Sequence, residues 1–157
     1  MESSLSRRHE AADTIFIGAA PGKGQGVYAM GAFAVGDLVV EGRPVRTSPH
    51  RTRYTVQKDW DLHIELDETA RSLNHSCRPN TGVVDNAYGA YDFMAIAPIR
   101  PGDEITFDYE STEYESIGVA DCLCLSPDCR GRTRGFRYRA DAMPHPAAYL
   151  REHAPRA

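Results

Sequence analysis

Residues 74–80 read Asn74-His75-Ser76-Cys77-Arg78-Pro79-Asn80. Alone, such a stretch is turn chemistry, because Asn, Ser and Pro each stabilise tight backbone conformations locally. The thiol in its middle asks for more. The chain has four cysteines, and the other three fall in Cys122-Leu123-Cys124-Leu125-Ser126-Pro127-Asp128-Cys129-Arg130-Gly131. Cys122 and Cys124 are too close for an easy mutual disulfide, yet they can share one metal ion. Three thiolates leave a tetrahedral zinc one ligand short, and Cys77 is the one cysteine left to complete it. That arithmetic expects the chain near 122–131 to fold back over the 74–80 loop. Four unconnected buried thiols are the alternative.

Between these stretches lies Gly102-Asp103-Glu104-Ile105-Thr106-Phe107-Asp108-Tyr109, a turn followed by an alternating strand. Other short strands, cut by Gly and Pro, are expected at Thr14–Ile17, Gly26–Ala29, Asp37–Glu41, His63–Leu66, Thr81–Asp85 and Ala90–Ile96. In Tyr91–Ile96, Tyr91, Phe93 and Ala95 take one face, and Asp92, Met94 and Ile96 take the other. Helical signal is scarce: a turn or two at Glu68–Leu73 and a short helix at Ala147–His153. The polar residues 1–13 read as frayed. Many short strands without helical crossovers predict a mainly β fold, and no Rossmann-type phosphate loop is present.

The 157 residues suit one ordinary domain, with 41% hydrophobic and 25% charged residues. No apolar run approaches a membrane span and the first residues lack a signal-peptide core, so the expected address is cytoplasmic, with a nuclear one open if the source is eukaryotic. Clustered cysteines in a reducing compartment bind metal more often than they pair. A formal charge of −4 is no footprint for nucleic acid, so direct nucleic-acid binding is not expected, whereas a basic peptide or tail would suit it.

Taken together, Asn74–Asn80, Gly102–Tyr109 and Cys122–Gly131 resemble the SET-domain protein lysine methyltransferases with a post-SET zinc segment. Lys23-Gly24-Gln25-Gly26-Val27-Tyr28-Ala29 resembles that family's Gly-x-Gly entry. The resemblance covers approximately residues 15–131. It implies a β-clip-like fold of several short curved sheets with few short helices, divided into a SET domain at 14–115, a post-SET zinc segment at 116–135 and a carboxy-terminal tail or short helix at 136–157. It also implies methyl transfer from S-adenosylmethionine to a protein lysine, by an enzyme with a structural zinc.

By the same resemblance Tyr109, Tyr54 and Phe107 line the catalytic channel. Phe107 leaves room for di- or trimethylation. Lys23, Gly24, Gln25, Gly26, Asn74, His75 and Tyr109 would bind the cofactor, His75 largely through its backbone. Cys77, Cys122, Cys124 and Cys129 would bind zinc. Arg78 and Arg130, each following a ligand, are expected to offset the thiolate charge, and the basic stretch 130–139 is expected to be solvated.

The chain departs from the family in three respects. Only Gly42–Arg53 stands where a longer substrate-holding insert is usual, no cysteine-rich pre-SET region precedes the motifs, and Leu125 replaces a common glycine. The short insert keeps two other readings in view: a small-amine acceptor, or a zinc-stapled binding module without catalysis. A homodimer in which a second copy replaces the insert is also open. A zinc hydrolase is disfavoured, since four thiolates leave no position for water.

Overall fold

Gly and Pro punctuation cuts the chain into ten short strands and two short α-helices among the described residues, which are 14–140 and 142–153 of the computed structural model. The expectation for residues 1–13 lies outside them. In chain order the strands are β1 (Ile15–Ala20), β2 (Gly24–Ala29), β3 (Leu38–Glu41), β4 (Pro44–Ser48), β5 (Thr55–Asp59), β6 (Leu62–Leu66), β7 (Asn74–His75), β8 (Thr81–Asp85), β9 (Tyr91–Ala95) and β10 (Glu104–Phe107). Helix α1 (Glu68–Arg71) leads into β7, and α2 (Ala148–His153) closes the described chain. No helix among the described residues is long and apolar enough to cross a membrane.

The strands form three small sheets, ordered β1-β2-β10-β7, β3-β9-β8 and β4-β6-β5. Their inward faces share one core. In β9 the alternation read from sequence holds: Tyr91 and Phe93 are fully buried and Ala95 nearly so. Val27, Ile64, Leu73, Ile99 and Ile105 join them, each worth about 1.5–3 kcal/mol when removed from water. The mainly β expectation is met.

Three strands are not among those expected from sequence: the two-residue β7, inside the stretch read as a turn, and β4 and β5. Strands β4 and β5 flank β6 antiparallel on either side, from Pro44 opposite Leu66 and from Thr55 opposite Glu65. In β4, Val45, Arg46 and Thr47 are all exposed, so no alternation marks it; Pro44 takes the first position of an edge strand, where a missing N–H costs little. Pairing to β6 makes it a strand. The insert at 42–53 is thus partly a strand of this sheet.

The carboxy-terminal part also departs from expectation. Residues 130–139 are solvated only in part: Arg132, Arg134 and Arg137 are exposed, whereas Arg130 and Arg139 reach inward and Phe136 is buried. Gly135, at φ +128°, brings its Cα so close to residue 114 that a Cβ would lie 2.2 Å from Tyr114 O, so only glycine fits. Farther on, Tyr149 and Leu150 of α2 enter the core. Ala147 N–H donates to Ser111 O at 2.8 Å and the Tyr149 hydroxyl donates to Thr112 O, so this segment clasps the chain just after Tyr109.

Candidate active site

The site begins where β10 runs parallel to β7, with Thr106 opposite Asn74 and Phe107 opposite His75. This register places the ends of two sequence motifs side by side. Strand β10 ends at Phe107. Asp108 then caps a 3-10 turn by accepting the Glu110 N–H at 3.0 Å, and Tyr109 opens that turn. The turn swings the Tyr109 ring between Phe107 and His75, at centroid distances of 4.8 and 5.3 Å. Its hydroxyl donates to Leu73 O at 2.7 Å. Burial first, then the charges of Glu104 and Glu113, push the phenol well above its usual range. Tyr109 is therefore a neutral phenol at ordinary pH.

His75 links this tyrosine to the thiols. Its Nδ1 accepts the Tyr109 N–H at 3.0 Å, which puts the ring proton on Nε2, 3.4 Å from Cys77 Sγ. Burial lowers the imidazole to about 4, so it stays neutral and keeps this tautomer. The His75 side chain is thus spent on structure.

Two cavities meet at Tyr109. One is narrow, about 90 Å³, and its lining includes Val56, Leu66, Ala70, Leu73 and Phe107, with Tyr54, Arg51, Arg53 and Arg71 also on its wall. The other, about 310 Å³, is lined by Gly22, Lys23, Asn74, His75 and the strip from Gly118 to Leu123, the size of a small-molecule site. Tyr109, Arg53 and Gly118 belong to both.

Beneath the larger cavity, Lys23 Nζ contacts Glu104 Oε1 at 2.5 Å, and Asn74 Nδ2 donates to Glu104 Oε2 and to Gln25 O, each at 2.8 Å. A Cβ on Gly26 would lie 2.7 Å from Glu104 Oε2 and 3.1 Å from Asn74 Nδ2, so the absence of a side chain there lets this network close. Lys23, Asn74, His75 and Tyr109 line the cavity, whereas Gly24, Gln25 and Gly26 lie beside it. Tyr54 lines the narrow cavity with its side chain largely in solvent, at 70% exposure. Tyr28 packs on Phe16, outside both.

The four thiols converge. All Sγ atoms of Cys77, Cys122, Cys124 and Cys129 lie within 4.8 Å of one another, and Cys77 to Cys122 is 3.8 Å. A tetrahedral zinc with sulfurs at about 2.3 Å requires sulfur–sulfur distances of about 3.8 Å, so these residues fit a closed structural zinc. The arginine expectation needs correction. Arg78 pairs with Asp128 at 3.5 Å on the surface. The Arg130 guanidinium is spent on Asp108 at 2.8 Å and Glu110 at 2.7 Å, while its backbone N–H reaches Cys77 Sγ at 3.3 Å. Two buried carboxylates close by outcompete the thiols for that guanidinium. Its charge still favours the Cys77 thiolate, although burial, the larger effect, raises that thiol. Glu110 also accepts the N–H groups of Arg134 and Gly135 at 2.7 and 2.6 Å, locking the segment after the cysteines to the turn bearing Tyr109.

A family model described as the SET domain matches residues 24–110, more than half of the chain. The chain belongs to the SET-domain family. It is 34% identical over 88 residues to "Methyltransferase flvH" of Aspergillus flavus, covering 56% of this chain and 49% of that protein. It is 31% identical to "Histone-lysine N-methyltransferase, H3 lysine-4 specific" of Mycosarcoma maydis, over 67% of this chain and 9% of that protein. Among solved structures, KRYPTONITE in complex with mCHG DNA and SAH aligns with a TM-score of 0.61 at 25% identity, over 75% of this chain and 28% of that one. The SET domain here thus spans about half or less of the proteins it matches.

Gly22, Arg53, the Gly118–Leu123 strip and Glu113 are cavity walls not expected from the sequence. The strip had a signal: joining Cys122 to Cys77 requires the linker to pass over Asn74 and His75. Glu113 had none, being one carboxylate among several polar neighbours.

Proposed function

We propose that this SET domain transfers a methyl group from S-adenosylmethionine to the side-chain amine of a protein lysine. One observation carries the reading: Tyr109, with Arg53 and Gly118, forms the common wall of two cavities of different character, one narrow and mainly apolar, one larger and mainly polar. When bound, S-adenosylmethionine supplies an electrophilic sulfonium methyl. The larger cavity has the volume for it, and Lys23, Asn74, His75 and the 118–123 strip would hold it. The SAH in the structurally similar KRYPTONITE complexes, the demethylated product of that cofactor, supports the assignment.

The narrow cavity suits an alkylamine. Val56, Leu66, Ala70, Leu73 and Phe107 disfavour a charged ammonium there, lowering the amine pKa from its reference near 10.4 toward the neutral, nucleophilic form. The Tyr109 hydroxyl is pinned by Leu73 O, leaving its oxygen lone pairs to orient an incoming amine. Phe107, packed between Phe93 and Tyr109, closes the inner end without a hydroxyl, which favours di- or trimethylation.

Substrate identity is read from the rim. The charge of −4 attracts a basic tail at long range, while Arg51, Arg53 and Arg71 beside the opening favour neutral or acidic residues next to the target lysine. A homodimer covering the face beside the short insert belongs to the same proposal and is checked by sedimentation. So does a cytoplasmic address, which would keep the four thiols reduced. A second reading, transfer to a small amine, draws on the flvH relative, whose name specifies a methyltransferase and no acceptor.

The test is incubation of the purified protein with labelled S-adenosylmethionine and lysine peptides of basic and acidic flank, with product mass read by spectrometry. Label on peptide lysine supports the proposal. Label on small amines alone favours the second reading, and no S-adenosylmethionine binding by calorimetry refutes both.

A further inference from the structure

Glu113 is a carboxylate that the reading above leaves unused. It follows Tyr109 by one turn, its N–H donating to Tyr109 O at 3.1 Å, and it lines the same narrow cavity as Tyr109 and Phe107. Its position is fixed from two sides. The Gln57 N–H of β5 donates to Oε2 at 2.9 Å and, more weakly, to Oε1 at 3.2 Å, and the Thr112 hydroxyl donates to Oε2 at 2.6 Å. A carboxylate offers about four lone-pair sites, so Oε1 keeps capacity for another donor.

No cation bridges Glu113 among the described residues. Arg51 acts on it through its field, but that guanidinium donates to Glu115 O at 2.7 Å. The other titratable groups within its field are Tyr91 of β9, Tyr149 of α2 and Tyr109, all phenols pushed above their usual range and so neutral. Glu113 is half-buried, and a carboxylate held out of bulk water without a counter-charge is unfavourable. Its cavity has Val56, Leu66, Ala70, Leu73 and Phe107 on its wall, against which an alkyl chain packs, and the cation missing from it is one such a chain could carry.

We propose that Glu113 receives the target lysine's ammonium and removes its proton, a role that rests on the methyl-transfer reading for its purpose but not for its detection. The step balances. One N–H bond of the ammonium breaks, its electron pair stays on nitrogen as the lone pair, and an O–H bond forms on the Glu113 carboxylate. A cation and an anion in the cavity become a neutral amine beside a neutral acid. The acid returns its proton to water through the cavity mouth, where Arg51 stands, before the next ammonium arrives. Burial is the main reason that Glu113 is raised to about 7, against the Gln57 N–H, the Thr112 hydroxyl and Arg51; near neutral pH it can therefore both take and release a proton.

The experiment compares wild type, Glu113→Gln and Glu113→Asp over pH 5–9. Peptides carry either lysine or thialysine, whose amine is less basic. In wild type, kcat/KM should rise through an inflection near pH 7. In Glu113→Gln that inflection should vanish and the rate should fall by about 10²–10⁴-fold on lysine. The loss should be at least tenfold smaller on thialysine, and Glu113→Asp should recover the inflection. The same inflection in Glu113→Gln, or equal losses on both amines, would overturn the proposal. A second readout is independent of catalysis and of whether the variants fold. Infrared difference spectra of wild type should show a protonated-carboxyl band growing when lysine peptide binds and not when norleucine peptide does; no such growth also overturns it. Growth of the band without any methyl transfer would keep this assignment and remove the methyltransferase reading.

Discussion

Stripping the metal from the four-thiol cluster is the perturbation whose consequence follows most directly from the geometry. Cys77 and Cys122 are 45 residues apart, and a link between them restrains that loop in the unfolded chain. Treated as a cross-link, closing such a loop is worth about 4 kcal/mol. For a protein of this size that is a fall in Tm of roughly 8–16 °C. The loss should also be local. Cys122 N–H donates to Gly131 O at 2.7 Å, and residues 118–123 wall the larger cavity, so an unlinked strip frees one side of the cofactor site. The sulfur that His75 Nε2–H faces would change from a metal-held thiolate to a free thiol, a weaker acceptor, loosening the ring that accepts the Tyr109 N–H. The assay is metal quantitation, calorimetric melting and S-adenosylmethionine titration, before and after a zinc chelator and after zinc is restored. One zinc per chain is expected, with Tm and cofactor affinity falling together and recovering together. Metal-free protein that keeps both its Tm and its affinity would show that the four thiols do not hold the 118–123 strip in place through a metal.

Tyr109→Phe keeps the ring between Phe107 and His75 and loses one hydrogen bond, so stability should drop by only about 1 kcal/mol; methyl transfer should fall about 10²-fold with cofactor affinity retained, read by calorimetry and rate together. Gly26→Ala forces a Cβ against Glu104 and Asn74, costing about 1–3 kcal/mol by denaturant titration and weakening cofactor binding, and an unchanged melt would count against the packed network. Glu110, despite burial that opposes ionisation, is held below the usual carboxylate range by the Gly135 and Arg134 N–H groups and by Arg130 and Arg139. Its folded pKa being the lower one, its stabilisation is present above the unfolded pKa and is lost as pH falls through the folded value. Glu110→Gln should therefore destabilise most near neutrality and least in acid, in melts taken across pH. Leu125, 91% exposed at φ +59°, holds a left-handed conformation without packing in return, so Leu125→Gly should raise Tm by an amount equivalent to about 1 kcal/mol.

The motif residues announced their chemistry because each type is costly to place without a use. A thiol between two turn-forming residues, three more at metal-ligand spacing, and a tyrosine closing an alternating strand were legible as parts of one site. So was the core face of β9, since period-two alternation survives in one dimension. Strands β4 and β5 were not: β4 has no buried residue and is defined by its pairing with β6, and in β5 the one fully buried side chain is a polar one, Gln57, which no apolar alternation announces.

The amino-acid order alone therefore settled which groups the site would contain and that β-sheets would carry them. The three-dimensional arrangement decided how those groups are employed. Arg130 turned from the thiols to Asp108 and Glu110, the His75 ring became a bridge from sulfur to the Tyr109 backbone, and Glu113 came to lie in the wall of a channel. The physical reason is range. Ligand spacing and alternation are local properties of the chain, whereas a side chain's partner and its ionisation depend on burial and charge contributed by segments tens of residues away.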